Sequence, residues 1–110
     1  MMKLGLSPAA AGLLRALIAR TGIDRDRILL SNYRSCDWQS LTFTGDRHLI
    51  DLRIPGPRAA AIAEILTRDL GEAEFDIPRQ IVADIGVEGA IIEHPDGSIS
   101  LTIEALTIAE

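Results

Sequence analysis

A single cysteine, Cys36, leaves this chain nothing to bridge to. A lone thiol excludes an intrachain disulfide and suits a reducing compartment. Aromatic side chains are nearly as scarce: Tyr33, Trp38, Phe43 and Phe75 complete the set. A core must therefore be assembled from Ile, Leu, Val and Ala. No apolar run approaches the ~18 residues that a membrane-spanning helix needs, so no membrane contact is expected. Positive charge is missing from the second half. Residues 55–110 carry three basic side chains against eleven acidic, while residues 1–54 carry eight against five. Such asymmetry bears on partners rather than on fold. An acidic half argues against nucleic acid, whose phosphates need a basic face.

Catalytic signatures are absent as well. There is no Gly-rich phosphate loop, no Cys-x-x-Cys, no His-Glu-x-x-His and no Gly-x-Ser-x-Gly elbow. No catalytic residue, metal or cofactor is expected. Lys3 and the Ala/Leu-rich run after it have the outline of a signal peptide, but Arg15 interrupts the run. A cytoplasmic location is the expectation.

What is present suits one domain spanning residues 1–110. A chain of this size buries ~65% of its unfolded surface, enough for a core without covalent staples. Ser7 and Pro8 form an N-cap followed by a first-position proline, and so start a helix. Leu13, Leu14, Leu17 and Ile18 fall on one face of it. Arg20 suits its last turn and Gly22 its left-handed stop. The segment from Ile23 to Gln39 is the least regular, with one short strand expected over Ile28–Ser31.

Ser40–Ile54 reads as a hairpin turning on Gly45-Asp46, with glycine first as a type II′ turn requires. That register sets Phe43 opposite His48, Leu41 opposite Ile50 and Trp38 opposite Arg53. A second helix follows Pro55-Gly56-Pro57, with Pro57 in its first turn. Ile62, Ile65, Leu66 and Leu70 form its stripe, Glu64 and Arg68 an i,i+4 pair, and Gly71 its stop. Glu72–Ile77 suits a short edge strand closed by Pro78.

The stretch Gln80–Glu110 is the strongest structural signal, a long hairpin around Pro95-Asp96-Gly97. It holds six acidic residues and no Lys or Arg. Its first strand is too long to stay flat, so Gly86 or Gly89 is expected to bend it. The order is helix, hairpin, helix, hairpin, plus short extra strands. The predicted fold class is α+β: a two-layer sandwich, an antiparallel sheet with two helices on one face.

Two sets of residues could carry function. On the outer face of the last hairpin, an unbroken register sets Glu88 directly opposite Glu104. Opposed like charges destabilise a sheet and need compensation from water and salt, an Arg such as Arg47 or Arg53, a basic partner or, last in rank, a metal. Ile92, Leu106 and Ile108 share that face, and aliphatics beside acids suit an interface. The second set is Arg34, Asp37 and Trp38 with His48 and Arg53, whose cations would suit an anionic small ligand. Cys36 is expected to be buried and inert. His48 and His94, expected at turn ends, lie too far along their strands to activate it. Trp38 and Arg53 would make a cation–π contact across the strands.

Element order and acidity resemble those of small dimeric secretion chaperones, with no motif in common. The favoured reading is a non-catalytic protein-interaction module, a homodimer or an adaptor for a basic protein partner. The alternative is a binder or enzyme for a small anion.

Overall fold

The protein, described over residues 5–110 by a computed structural model, is built from two helices and four strands. They are α1 (Pro8–Ala19), β1 (Leu29–Gln39), β2 (Thr44–Ile54), α2 (Ala59–Thr67), β3 (Gln80–Glu93) and β4 (Ile99–Ala109). Lys3 lies outside the described residues. Strand order is β1-β2-β4-β3, with every neighbouring pair antiparallel. This is the α+β fold expected, with order helix, hairpin, helix, hairpin.

Local chemistry starts α1 where expected. The Ser7 hydroxyl accepts from the Ala10 amide at 3.1 Å, and Pro8 occupies the first turn. Gly22 is left-handed, with φ of 68°. Arg20, just past the helix end, reaches across to α2 and donates to the carbonyls of Leu66 and Arg68 at 2.6 and 2.8 Å. These acceptors close α2, whose last carbonyls would otherwise lack partners. Gly71 does not stop α2. The helix ends at Thr67, and Asp69 takes the left-handed conformation at φ 50°. Arg58 caps α2, so Pro57 lies before its first turn.

Alternation buries one face of the sheet. His48, Ile50, Leu52 and Ile54 of β2 and Ile99, Leu101, Ile103, Ala105 and Thr107 of β4 all face inward. They meet Leu13 and Leu17 of α1 and Ala59, Ile62, Ala63 and Leu66 of α2 in one cluster. Each fully buried Leu or Ile contributes ~1.5–3 kcal/mol of transfer free energy. Both helices thus cover the same face. No helix among the described residues is long and apolar enough to cross a membrane.

The first hairpin departs from expectation. Its turn is Ser40–Phe43, closed by the Ser40 amide on the Phe43 carbonyl at 2.9 Å and the Phe43 amide on the Ser40 hydroxyl at 3.1 Å. Gln39 pairs with Thr44 and Trp38 with Gly45. Gly45 therefore lies in β2 rather than in a turn. Its role is close approach, because a Cβ there would stand 1.9 Å from the Thr107 carbonyl oxygen of β4. Leu41 and Phe43, expected on the core face, sit exposed at the hairpin tip. In the irregular segment a 3-10 turn, Arg25–Arg27, leads into one long strand, β1, which takes in most of the short strand expected at Ile28–Ser31. Over Glu72–Ile77 no strand forms: a short 3-10 turn, Leu70–Glu72, leads into a single bridge between Ile77 and Gln80.

The last hairpin turns as expected. The His94 amide donates to the Ser98 carbonyl at 2.8 Å, and Gly97 has φ of 86°. Beyond the turn, the register slips. Ile92 pairs with Ser100, but Glu88 pairs with Thr102. The slip is a bulge containing Gly89, left-handed at φ 72°. Glycine adopts that conformation without the Cβ clash other residues meet.

Candidate functional site

The sheet face away from the helices carries the charge and the unburied aliphatics. Glu88, Ile92, Glu104, Leu106 and Ile108 all point to that side. Glu88 and Ile92 are exposed, and the other three are half-buried. The bulge separates the two acids expected to oppose each other. Glu88 stands across from Thr102, and Glu104 across from Gly86 on one side and Leu49 on the other. Glu104 instead pairs with Arg47 at 3.2 Å. Asp51 accepts from Thr102 at 2.7 Å and faces Arg34 at 3.5 Å. The opposed like pair that does form is Asp37 with Asp46, near the turn that joins β1 and β2.

Leu29, Ile81 and Ile92 are about half exposed on this face, at 46%, 49% and 53%. Half-buried Leu49, Leu106 and Ile108 lie between them. A hollow of about 230 Å³ opens where the bulge lifts β3, lined by Asp51, Ala90, Ile92, Ser100 and Thr102. Isolated surface pairs such as Arg47–Glu104 contribute little stability, typically ~0–1 kcal/mol. Their effect here is to leave the middle of the face charge-balanced.

The second residue set is dispersed. Arg34, Trp38 and Arg53 lie on the outer face, while Asp37 and His48 lie on the inner one. Trp38 stands across from Gly45, and Arg53 across from Leu29, at opposite ends of the ladder. The cation–π contact between them is therefore not made. Asp37 and Trp38 share a hollow of about 200 Å³ at the sheet end, together with Asp46 and Gln80. Arg53 is held by Ser98 at 2.9 Å and Asp96 at 3.3 Å. The Asp96 carboxylate accepts from both the hydroxyl and the amide of Ser98, which hold its pKa below the ordinary value, with Arg53 adding to the effect. Cys36, expected in the interior, is exposed on the outer face across from Arg47.

His48 is not at a turn end. It is fully buried, its Nδ1 2.9 Å from the Tyr33 hydroxyl and its Nε2 2.8 Å from the Thr107 hydroxyl. The Tyr33 and His48 rings stack at 6.0 Å. Burial lowers its pKa, with Asp46 opposing part of the shift. Both ring nitrogens of His48 have partners, so it is a satisfied bridge across three strands and is closed to ligands. Along α1, Leu6, Leu14, Ile18 and Ile23 line a groove of about 500 Å³ flanked by Arg15 and Arg25. Among the described residues no cluster of His, Cys, Asp and Glu could hold a metal ion.

The geometry defines a class: an α+β fold with one sheet face covered by both helices and the other uncovered among the described residues. Comparison with protein-family models and with curated protein sequences gives no match. Among solved structures, a chain of the virion of a native gene transfer agent (GTA) particle is similar in fold. It has a TM-score of 0.64 at 14% identity, over 92% of this chain and 98% of that one.

Proposed function

We propose that this protein is a non-catalytic assembly subunit that packs against further protein subunits through its open sheet. The observation that carries the reading is the outer face itself, where Leu29, Ile81 and Ile92 stand half exposed around a charge-balanced centre. An uncovered apolar patch rimmed by polar groups is what a protein contact covers. The exposed Leu41 and Phe43 at the first hairpin tip extend the unburied apolar surface. One further finding supports assembly: the solved chain of similar fold comes from the virion of a gene transfer agent particle.

Self-association, of which a homodimer is the simplest form, follows from the face being half apolar. A basic protein partner follows from the acidity of β3. The anionic-ligand reading ranks second, because Arg34, Arg47 and Arg53 each already face a carboxylate.

The test is the mass of the pure protein in solution across a concentration series, by light scattering. Assembly above the monomer mass is expected. The pair Ile92→Asp with Ile108→Asp should reduce it while leaving the far-ultraviolet dichroism unchanged. A strict monomer at every concentration, unmoved by that pair, sinks self-assembly.

A further inference from the structure

Two apolar features lie away from the open sheet face: the tip of the first hairpin and the groove along α1. The last row that all four strands share is Trp38-Gly45-Ile108-Ile81. Residues 40–43 project beyond it, closed on themselves by the two hydrogen bonds between Ser40 and Phe43. Leu41 is fully exposed there, and Phe43 is exposed at 53%. Two large apolar side chains on a projecting turn with its own hydrogen bonds form a ready-made knob.

The groove is a matching socket. Its volume of about 500 Å³ leaves room for both side chains. Leu14, Ile18 and Ile23 in its floor pack against the core beneath, so the fold holds its shape. Charge matches as well. Arg15 and Arg25 line the groove with one acid, Asp24. Residues 37–46 carry two acids, Asp37 and Asp46, and no Lys or Arg. Those acids stand directly opposite each other, an arrangement that costs stability unless a cation lies against it. Among the described residues, none of Arg15, Arg25, Asp37 and Asp46 makes an ion pair.

A chain cannot fill the length of its own groove. The Ile23–Arg25 end of the groove leads into the start of β1, and the tip stands past the end of that strand. The 11 residues of β1 put roughly 33 Å between them.

We propose that Leu41 and Phe43 at the hairpin tip of one copy dock into the α1 groove of a second copy, with Asp37 and Asp46 against Arg15 and Arg25. This contact goes beyond the open-face reading, because it uses neither that face nor its residues. Tip and groove are different surfaces, so the contact either closes reciprocally between two copies or passes from copy to copy.

The test places a benzophenone amino acid at position 43 of the full chain. It keeps an aromatic ring at the tip and, on irradiation, bonds to whatever touches it. Covalent dimers are expected, with the cross-linked peptides mapping by mass spectrometry to residues 6–25. Arg15→Glu with Arg25→Glu should lower the dimer yield on the order of fivefold. Adding Asp37→Lys should restore part of it, which a misfolded groove would not allow. All three positions are exposed, so the fold is expected to persist, and dichroism checks this. Ile92→Asp with Ile108→Asp should leave the cross-link in place. If it does so while light scattering is unmoved by that pair, the open-face reading fails and the docking stands.

Four results would overturn the docking. Cross-links to the open sheet face put the contact there and leave the open-face reading intact. Cross-links to residues 40–43 of the partner mean that tip meets tip. Cross-links to α1 that form only once residues 1–4 are removed assign the groove to that segment. A chain that assembles by light scattering without any dimer cross-linked from position 43 makes its contacts elsewhere.

Discussion

His48 shows how one residue links strand geometry to solution behaviour. It stands in a row of apolar side chains on β2, yet carries two ring nitrogens that need partners. Tyr33 on β1 and Thr107 on β4 supply them. Because burial lowers its pKa, the folded protein keeps the imidazole neutral to lower pH than the unfolded chain does. Below the unfolded value of ~6.5 the unfolded chain binds a proton that the folded one refuses. Stability is therefore full above that pH and falls as the medium is acidified towards the folded pKa. Urea midpoints of the protein and of His48→Gln, measured across this range, should converge as pH drops. At neutral pH the substitution should cost about 1–3 kcal/mol if a hydroxyl is left unpaired. Gly45 is a second residue with an outsized effect. Gly45→Ala drives a methyl into the Thr107 carbonyl, so β2 and β4 must separate locally. A loss of about 1–3 kcal/mol is expected from such overpacking, read as a lower melting temperature.

Among the elements, the helices were the most legible in sequence and the strand registers the least. Ser7, Pro8 and the Leu13/Leu17 spacing announce α1 because capping and periodicity are local. The end of α2 was not legible, since a side chain from α1 closes it. Arg20→Ala should free the Leu66 and Arg68 carbonyls and lower stability by about 1–2 kcal/mol, measured by denaturant titration. Gly45-Asp46 has the composition of a turn, but the proximity of β4 is what requires glycine there. In β3 the need for a bend was readable from Gly89, but its consequence for register was not. A bulge moves every later pair, and it separated Glu88 from Glu104. Gly89→Ala forces a Cβ into the left-handed region at a cost of ~1–2 kcal/mol.

For the molecule as a whole, one cluster of buried side chains ties both helices to all four strands, with Tyr33 bringing in β1 and Ile85 bringing in β3. A single core predicts a single unfolding transition. Trp38 fluorescence, reporting from the edge strand β1, should coincide with far-ultraviolet dichroism in a urea titration. An earlier Trp38 transition would mean that β1 separates first. Five expected interface residues share the open face, because their alternation with the buried residues of β4 and β3 was readable. The five expected ligand residues are divided between the two faces, because neighbours such as Asp37 and Trp38 alternate along β1 and His48 belongs to the buried row of β2. Charge follows the same division: Arg34 and Arg47 meet carboxylates from the first and second halves on the outer face, and β3 keeps its acids at the edge.

Apolar periodicity, caps and the Pro-Asp-Gly turn determined by themselves the order of elements, the aliphatic core and the side on which the helices lie. Those properties depend on contacts within a few residues and on which faces must leave water. The tertiary structure alone decided which residues face one another across strands. Register depends on how closely distant strands approach and where a bulge inserts residues, as at Gly45 and Gly89. It turned the expected Glu88–Glu104 repulsion into an Arg47–Glu104 pair.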